Sequence, residues 1–281
     1  MNYEKNCQGC EDREANTTDD CCNILDEDGL PSRCVGPWSR DKLFYLSRYC
    51  HIFTTGMKNK WRNRVFVYLF CGPGRCRVRH QGDFEDGSPL IALHEAFTHY
   101  FFVDISSHCI EALEKRTSSM AAVPGKVTKI IPGDANECID DLVRQVDVLG
   151  PETIGFVFVD PPGIQVHFET LQKLCENTRM DLLVNFPLGM NINRQFKHQL
   201  KKDPESEVEF DRYFGTNRWR DLCEKYPGGR IGPRLLRLYE EQLGGLGYHY
   251  VGDEHAVKNP RGREFWEKVT EIEPSGQRKL F

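Results

Sequence analysis

The sequence predicts a doubly wound α/β fold: a Rossmann-like parallel sheet with helices on both faces, a helical C-terminal insertion and a cysteine-rich N-terminal segment. Five short apolar runs alternate with segments of helical periodicity. The runs are rich in Val, Ile, Leu and Phe, as is typical of strands that are buried on both faces. Each run is followed closely by glycine, asparagine or aspartate. Because parallel strands need a crossover between them, usually a helix, this alternation indicates a parallel sheet.

The first predicted element is an amphipathic helix with apolar positions at helical spacing: Leu43, Leu46, Cys50 and Phe53. The five predicted strands span residues 65–70, 100–103, 127–131, 154–159 and 182–184. We expect Ser88 to cap the helix that follows the first strand, and Ser106 or Ser107 to cap the helix that follows the second. The stretch RCRVRHQGDFED between the first strand and its helix is polar and predicts a loop.

Beyond residue 193 the alternation weakens. Residues 194–232 are polar and aromatic, which predicts an inserted helical cap, and a helix over 233–243 and a strand over 248–251 follow. The predicted organisation is therefore an acidic cysteine-rich segment over 1–35, the Rossmann-like core over 36–193, the cap over 194–232, and the C-terminal end of the core over 233–281.

Composition excludes several classes of protein. The chain has 281 residues, with 37 basic and 42 acidic side chains and 12 cysteines. Its longest apolar runs are far shorter than the roughly 20 residues that cross a bilayer, so we expect no membrane partner. The start is polar and acidic, unlike a secretory signal, which predicts a cytoplasmic location and reduced cysteines. Residues 1–30 hold nine acidic and two basic side chains, so the remaining chain is slightly basic and its charge does not exclude a nucleic acid.

The glycines after the first strand form the first candidate binding element. Phe70 and Cys71 lead into Gly72-Pro73-Gly74, and glycine lets a backbone approach a ligand closely. A dinucleotide-binding turn opens directly into a helix that binds the pyrophosphate. Here the predicted helix is delayed until Ser88, which favours a ligand without a pyrophosphate.

Two aspartates follow the next two strands. Asp104 could accept both hydroxyls of a ribose, and Asp134 with Ala135 is suited to an adenine amino group. Asp104 could instead be only a helix cap, and Asp134 only a turn residue. Their order at successive strand ends favours an adenosine-containing ligand, and S-adenosylmethionine fits.

The fourth strand ends in Asp160-Pro161-Pro162-Gly163. Two prolines make a rigid shelf, on which the Asp160 carboxylate and the Pro161 carbonyl could orient a planar amine toward a methyl donor. The alternative is a turn that merely ends a strand. Enzymes that methylate flipped bases usually have an aromatic residue where this chain has Gly163. The platform would then come from Phe168, Phe186 or Tyr213.

The motifs GPG, GSPL, GDAN, DPPG and NFP occur in order between residues 28 and 250. In this combination the chain resembles the three-Cys-motif partner family, prokaryotic proteins similar to class I S-adenosylmethionine-dependent methyltransferases. The resemblance implies the class I methyltransferase fold, S-adenosylmethionine as cofactor, and a separate three-Cys-motif protein as partner. The chain departs from the family between Val257 and Pro260, where its connection is short. This predicts that the antiparallel seventh strand is missing or displaced.

Five of the cysteines lie in the first 34 residues. Cys7 and Cys10 have the spacing of a zinc knuckle, and Cys21 or Cys22 together with Cys34 would complete a tetrahedron. The alternatives are an iron-sulfur cluster or unliganded cysteines. Without a metal we expect this polar segment to be disordered. Five further cysteines are interpreted as small core residues: Cys50, Cys109, Cys138, Cys175 and Cys223.

Two basic groups flank the first strand and could bind the phosphates of RNA or DNA: Lys58, Lys60, Arg62, Arg64, Arg75, Arg77 and Arg79. The alternative is a solvated surface. Taken together, the sequence predicts a methyltransferase that uses S-adenosylmethionine and acts on an amino group of a nucleic acid or nucleotide. The alternative function is a non-catalytic adaptor for the three-Cys-motif protein that binds S-adenosylmethionine or zinc.

Overall fold

The computed structural model describes residues 24–78, 83–120, 126–176, 178–186, 205–226, 231–248, 250–252, 255–257 and 260–275. The chain divides into two compact units. Unit 1 comprises Met1–Asp134 with Glu264–Phe281, and unit 2 comprises Ala135–Arg263. The predicted cysteines Cys7, Cys10, Cys21 and Cys22 and the predicted Arg79 lie outside the described residues.

The described elements of unit 1 are, in order, β1 (Ile24–Leu25), β2 (Pro31–Val35), α1 (Ser39–Met57), β3 (Asn63–Leu69), β4 (Arg75–Val78), β5 (Phe84–Asp86), α2 (Ser88–Leu93), β6 (His99–Asp104), α3 (Ser107–Ser119) and β7 (Val127–Pro132). β6 lies between β3 and β7 and is parallel to both. The apolar runs predicted as the first three strands therefore form a parallel sheet. β3 is buried over its last five residues, as expected for a strand covered on both faces.

A second sheet with the order β1-β2-β4-β5 corrects one expectation. The stretch predicted as a polar loop contains β4 and β5, which pair antiparallel. Residues 24–35 of the cysteine-rich segment are also ordered: β1 pairs antiparallel with β2, and β2 pairs parallel with β4. Hydrogen bonds between strands order this part of the segment.

The predicted first helix is confirmed as α1, whose buried face includes Leu43, Leu46, Cys50 and Phe53. The C-terminal residues of unit 1 pack against this helix. The Trp266 ring lies 6.1 Å from the Tyr49 ring, and Arg48 donates a hydrogen bond to the Val269 carbonyl at 3.3 Å. Of the predicted caps, Ser106 accepts a hydrogen bond from the Cys109 amide, whereas Ser88 is the first helical residue and makes no cap bond.

The described elements of unit 2 are α4 (Ala135–Asp147), β8 (Thr153–Val159), α5 (Phe168–Glu176), β9 (Met180–Val184), α6 (Glu205–Phe214), α7 (Trp219–Lys225), α8 (Gly232–Gly245), β10 (Tyr250–Gly252) and β11 (His255–Val257). The last helix, α9 (Pro260–Thr270), begins in unit 2 and ends in unit 1. Helices α6 and α7 fall within the predicted cap. β8 and β9 are parallel, and all five residues of β9 are buried.

The expectation that the seventh strand is missing or displaced is wrong. β11 pairs antiparallel with β9, and β10 pairs antiparallel with β11. The connection to Pro260 is short, but it begins after β11, so the three residues of this strand can still pair with β9. Within the described residues, five parallel strands with helices between them confirm the predicted Rossmann-like α/β fold.

Candidate ligand-binding site

Residues 70–74, here called the glycine loop, have an unusual backbone. Phe70 has a φ of 67°, and no other non-glycine residue in the described chain has a positive φ. Gly72 and Gly74 follow with φ of 66° and 93°. A left-handed conformation costs a bulky residue roughly 1–2 kcal/mol. Such strain is retained where the surrounding structure requires one backbone path, and it is frequent at binding sites.

Asp104, at the end of β6, fixes the glycine loop. Its Oδ2 accepts a hydrogen bond from the Gly72 amide at 2.7 Å, and its Oδ1 accepts one from the Ser106 amide at 2.9 Å. Its backbone carbonyl accepts the Gly133 amide at 3.0 Å, which links the end of β7 and the adjoining Asp134 to the same point. A carboxylate has about four acceptor positions. Asp104 therefore keeps acceptor capacity for a ligand hydroxyl beside these two amides.

The two glycines of the loop have different roles. A Cβ placed on Gly72 would have no atom nearer than 3.9 Å, whereas one placed on Gly74 would lie 2.9 Å from Leu113 Cδ1. Gly74 is thus required for packing against α3, whereas a methyl group on Gly72 would meet the Arg33 side chain at an ordinary contact distance. The Ile105 side chain, 70% exposed, offers an apolar surface next to Asp104.

The β4–β5 hairpin separates helix α2 from the glycine loop in the sequence, but α2 begins close to the loop in space. The Gly87 amide, just before α2, donates a hydrogen bond to the Gly74 carbonyl at 2.7 Å. The chain therefore returns to the glycine loop after it has formed the hairpin. A Cβ on Gly87 would lie 2.8 Å from the Gly74 carbonyl oxygen, which explains the glycine at this position. α2 is short, spanning six residues, and has a proline in its first turn.

In unit 2, Asp160 lies at the end of β8 and is buried, with 8% of its surface exposed. Its Oδ1 accepts a hydrogen bond from Asn185 Nδ2 at 2.6 Å, and the Asn185 amide in turn bonds to the Val159 carbonyl at 2.8 Å. The ends of β8 and β9 are thereby joined. Pro161 is buried and Pro162 is half-buried. The carboxylate is held in place, as an orienting group requires.

Asn136 fastens the segment that follows Asp160. Its Nδ2 donates to the Gln165 carbonyl at 2.8 Å, and its Oδ1 accepts the His167 amide at 2.9 Å and the Thr170 hydroxyl at 2.7 Å. One side chain on α4 therefore makes three hydrogen bonds to residues 165–170. Ala135, expected to meet an adenine, is buried and precedes Asn136 on the same helix.

The three aromatic residues considered as a platform belong to one cluster with Tyr239. The Phe186 ring lies 5.9 Å from Tyr213 and 5.2 Å from Tyr239, and the Phe168 ring lies 5.8 Å from Tyr239. The Tyr213 and Tyr239 hydroxyls are buried and have no hydrogen-bond partner in the described part of the chain. Burial raises the pKa of both phenols. Phe186 follows Asn185 directly, so this cluster adjoins the Asp160 contact.

Of the proposed metal ligands, only Cys34 is described. It lies in β2 and is half-buried. No group of three or more metal-binding side chains occurs among the residues that the structure describes. Cys50, Cys109 and Cys175 are buried as expected, but Cys138 and Cys223 are partly exposed. Cys71 and Cys76 are buried, and burial raises the pKa of both thiols.

The basic residues divide into two groups by position. Lys58, Lys60 and Arg62 are exposed but precede β3, whereas the glycine loop follows it. A strand of seven residues is about 23 Å long, so this group lies at the other end of the strand. Arg64 is occupied with the Trp61 and Ala96 carbonyls, at 2.8 Å and 3.0 Å.

Arg75 and Arg77 lie nearer the loop. Arg75 pairs with Asp26 at 2.5 Å and with Asp86 at 3.1 Å. Arg77 is half-buried and lies over the Phe84 ring at 5.9 Å. The Arg75 guanidinium therefore already forms ion pairs within the protein.

Arg116, on α3, donates a hydrogen bond to the Pro73 carbonyl of the glycine loop at 2.6 Å. Four residues at these sites were not assigned a role from the sequence: Ile105, Arg116, Asn136 and Asn185. An apolar residue directly after a strand-end aspartate is a visible signal for Ile105, and the NFP motif marks Asn185. Nothing local marks Arg116 or Asn136, because their partners are distant in the chain.

The described parallel strands with helices between them define a Rossmann-like α/β class of protein, in which the glycine loop and the anchored Asp104 follow the ends of β3 and β6. No family model and no curated protein sequence matches the chain. A DUF519 protein from Legionella pneumophila is 9% identical, with a TM-score of 0.40 over 58% of this chain and 74% of that chain. A protein from Methanococcus maripaludis, named as a candidate S-adenosylmethionine-dependent methyltransferase, is 13% identical, with a TM-score of 0.33 over 78% of this chain and 86% of that chain. Among the described helices none is long and apolar enough to cross a membrane.

Proposed function

We propose that this chain is an S-adenosylmethionine-dependent methyltransferase that acts on an amino group of a nucleic acid or nucleotide. The observation that carries the proposal is the bond between the Gly72 amide and the Asp104 carboxylate, 2.7 Å long, within a loop of strained backbone. This bond fixes an acceptor for ribose hydroxyls beside the glycine loop, and the exposed Ile105 offers an apolar contact for adenine.

The residues present fit this cofactor. Phe70, Gly72 and Gly74 shape the loop that would hold its amino-acid part, and Asp104 would accept its ribose hydroxyls. Asp134, beside Gly133, and the backbone of Ala135 would contact the adenine. When bound, S-adenosylmethionine supplies a methyl group on a positively charged sulfur, which a nucleophile can accept without acid catalysis.

Asp160, Pro161 and Pro162 would orient the amine. The Asp160 carboxylate and the Pro161 carbonyl would accept hydrogen bonds from the amine hydrogens and so fix the direction of its lone pair. The carboxylate would also favour positive charge on the nitrogen. Asn185 holds Asp160 at 2.6 Å and so limits the rotation of its side chain.

Three further parts of the proposal concern partners. Arg75, Arg77 and Arg79, more than the group before β3, would bind substrate phosphates, because Arg75 and Arg77 lie on β4, directly after the glycine loop. Cys7, Cys10, Cys21 and Cys34 would bind zinc. A separate three-Cys-motif protein would be the partner, on the resemblance of the sequence motifs.

Calorimetric titration with S-adenosylhomocysteine tests the cofactor. We expect binding by the wild-type protein and at least a tenfold weaker affinity for Asp104→Ala, which removes the acceptor of the Gly72 amide. No heat from the wild-type protein at high concentration would refute the proposal.

Labelled methyl transfer to total RNA and DNA tests the catalytic part, with and without a three-Cys-motif protein. Asp160→Ala should abolish transfer and keep cofactor affinity. Asp181→Asn is the matched control, since Asp181 is also a buried aspartate of unit 2 but lies within β9. Cofactor binding without transfer to any nucleic acid would favour the adaptor alternative.

A further inference from the structure

Strand β2 places an arginine beside the glycine loop. β2 pairs parallel with β4, and Arg33 is opposite Cys76 in the register of the two strands. The Arg33 Nη1 atom lies 3.9 Å from the position that a Cβ of Gly72 would occupy, and its Cδ lies 4.0 Å from it. Apart from the residues next to Gly72 in the chain, these are the nearest described atoms to that point. The guanidinium therefore borders Gly72.

The position of β2 relative to the loop is fixed by Arg116 of α3, which is 5% exposed. One nitrogen, Nη1, donates to the Pro31 carbonyl at 2.8 Å and to the Pro73 carbonyl at 2.6 Å. The first carbonyl belongs to β2 and the second to the glycine loop. A single buried cation thus joins the strand that bears Arg33 to the loop that Arg33 borders.

The same arginine is held from the other side by Asp28. Arg116 Nε and Nη2 donate to the two Asp28 oxygens at 2.8 Å and 3.0 Å. Such bidentate pairs have a fixed planar geometry. β2 is consequently a rigid support for Arg33 and not a loosely attached edge.

The charges around the loop are complementary to an amino acid joined to a nucleoside. Asp104 is the acid at the loop, and its carboxylate is bonded to two backbone amides. Arg33 is the base beside the same glycine. Burial raises the pKa of the adjacent Cys71 thiol, and the positive charge of Arg33 opposes that rise. The field of the guanidinium therefore reaches the loop itself.

We infer that Arg33 binds the α-carboxylate of the amino-acid part of the cofactor and makes that carboxylate a requirement for tight binding. This inference rests on the proposed function and adds to it a specificity residue on a strand outside the parallel sheet. A guanidinium bonded to a carboxylate is among the stronger polar contacts in proteins.

The test compares two ligands that share the thioadenosine part. S-adenosylhomocysteine carries the α-carboxylate, and 5′-methylthioadenosine lacks the amino-acid part. In calorimetry we expect Arg33→Met to raise the Kd for S-adenosylhomocysteine by about tenfold or more, as expected for loss of a hydrogen bond to a charged group. The Kd for 5′-methylthioadenosine should stay within about twofold. Arg33→Lys, which keeps the charge, should fall between the wild type and Arg33→Met.

Arg40→Met is the matched control. Arg40 forms an ion pair with Glu85 of β5, so it too is an arginine beside this sheet. None of its atoms is among those that lie nearest the Cβ position of Gly72. It should leave both Kd values unchanged.

Unchanged S-adenosylhomocysteine binding by Arg33→Met, or equal weakening of both ligands, would overturn the inference alone. Binding of neither ligand by the wild-type protein would overturn the proposed function and the inference with it.

Discussion

Replacing Asn136 by alanine tests whether one side chain holds the segment after Asp160. The change removes three hydrogen bonds, to the Gln165 carbonyl, the His167 amide and the Thr170 hydroxyl, at 2.8, 2.9 and 2.7 Å. Each contributes about 1 kcal/mol net. We expect Asn136→Ala to lower the free energy of unfolding by about 3 kcal/mol. For a protein of this size that corresponds to a fall in Tm of roughly 6–12 °C.

A companion substitution makes the expectation sharper. Thr170 is 2% exposed, so its hydroxyl depends on Asn136 for its partner. In the wild-type background Thr170→Val should cost about 1 kcal/mol, because it removes one bond of the three. In the Asn136→Ala background the hydroxyl has already lost that partner, and the same change should be neutral or stabilising.

Urea unfolding is followed by tryptophan fluorescence and by circular dichroism for the wild type, the two single variants and the double variant. The four free energies of unfolding give the cost of Thr170→Val in the wild-type and in the Asn136→Ala background. If Thr170→Val destabilises both backgrounds equally, the bond between Asn136 and Thr170 contributes nothing and the reasoning is refuted. Asn136→Asp keeps both acceptor bonds and should lose less stability than Asn136→Ala.

Three further outcomes are expected. Gly74→Ala should lower the free energy of unfolding by roughly 2 kcal/mol in urea titrations, because its φ of 93° is strained for alanine and its methyl group would lie 2.9 Å from Leu113; a variant as stable as the wild type contradicts this. Tyr213→Phe should raise the urea midpoint, by an amount equivalent to about 1 kcal/mol, since the hydroxyl is buried without a partner in the described chain, and a lowered midpoint would show that the hydroxyl is bonded. The hydrogen bond from Arg116 lowers the pKa of Asp28 below its usual 3.8, so the stability that this bond contributes is present above pH 3.8 and is lost as the pH falls through the lowered pKa. The difference in free energy of unfolding between the wild type and Asp28→Asn should therefore shrink below pH 3.8. A constant difference down to pH 2 would exclude this pairing.

The elements that could be predicted from the sequence are those with a strong local signal. β3 and β8 contain continuous apolar runs and β9 a shorter one over 182–184, each followed by turn residues, and such runs become strands wherever two faces are covered. Asp104 and Gly72 could be paired because the carboxyl ends of neighbouring parallel strands meet at one edge. The geometry of Phe70 could not be predicted, since a positive φ at phenylalanine is imposed by the surrounding structure and not by the residue.

The second sheet was missed for a physical reason. β2 and β4 bring Arg33 opposite Cys76, residues far apart in the chain, and a pairing of this kind depends on tertiary structure. The stretch R-C-R-V does alternate, with Cys76 and Val78 buried and the arginines half-buried. That period of two is the pattern of a strand with one buried face. Four residues were too few to outweigh the polar composition of the surrounding stretch.

The β4–β5 hairpin explains why a side-chain cation borders the loop. In dinucleotide-binding proteins the amides of a helix N-terminus meet the ligand anion. Here α2 begins beside Gly74, but it is six residues long and has a proline in its first turn, which removes one amide donor. The hairpin inserted at this point provides the edge on which β2 pairs, and β2 carries Arg33. A compact carboxylate suits one guanidinium, whereas a pyrophosphate needs several amides. On the proposed function, the insertion that delays α2 would therefore also select the kind of anion that the loop binds.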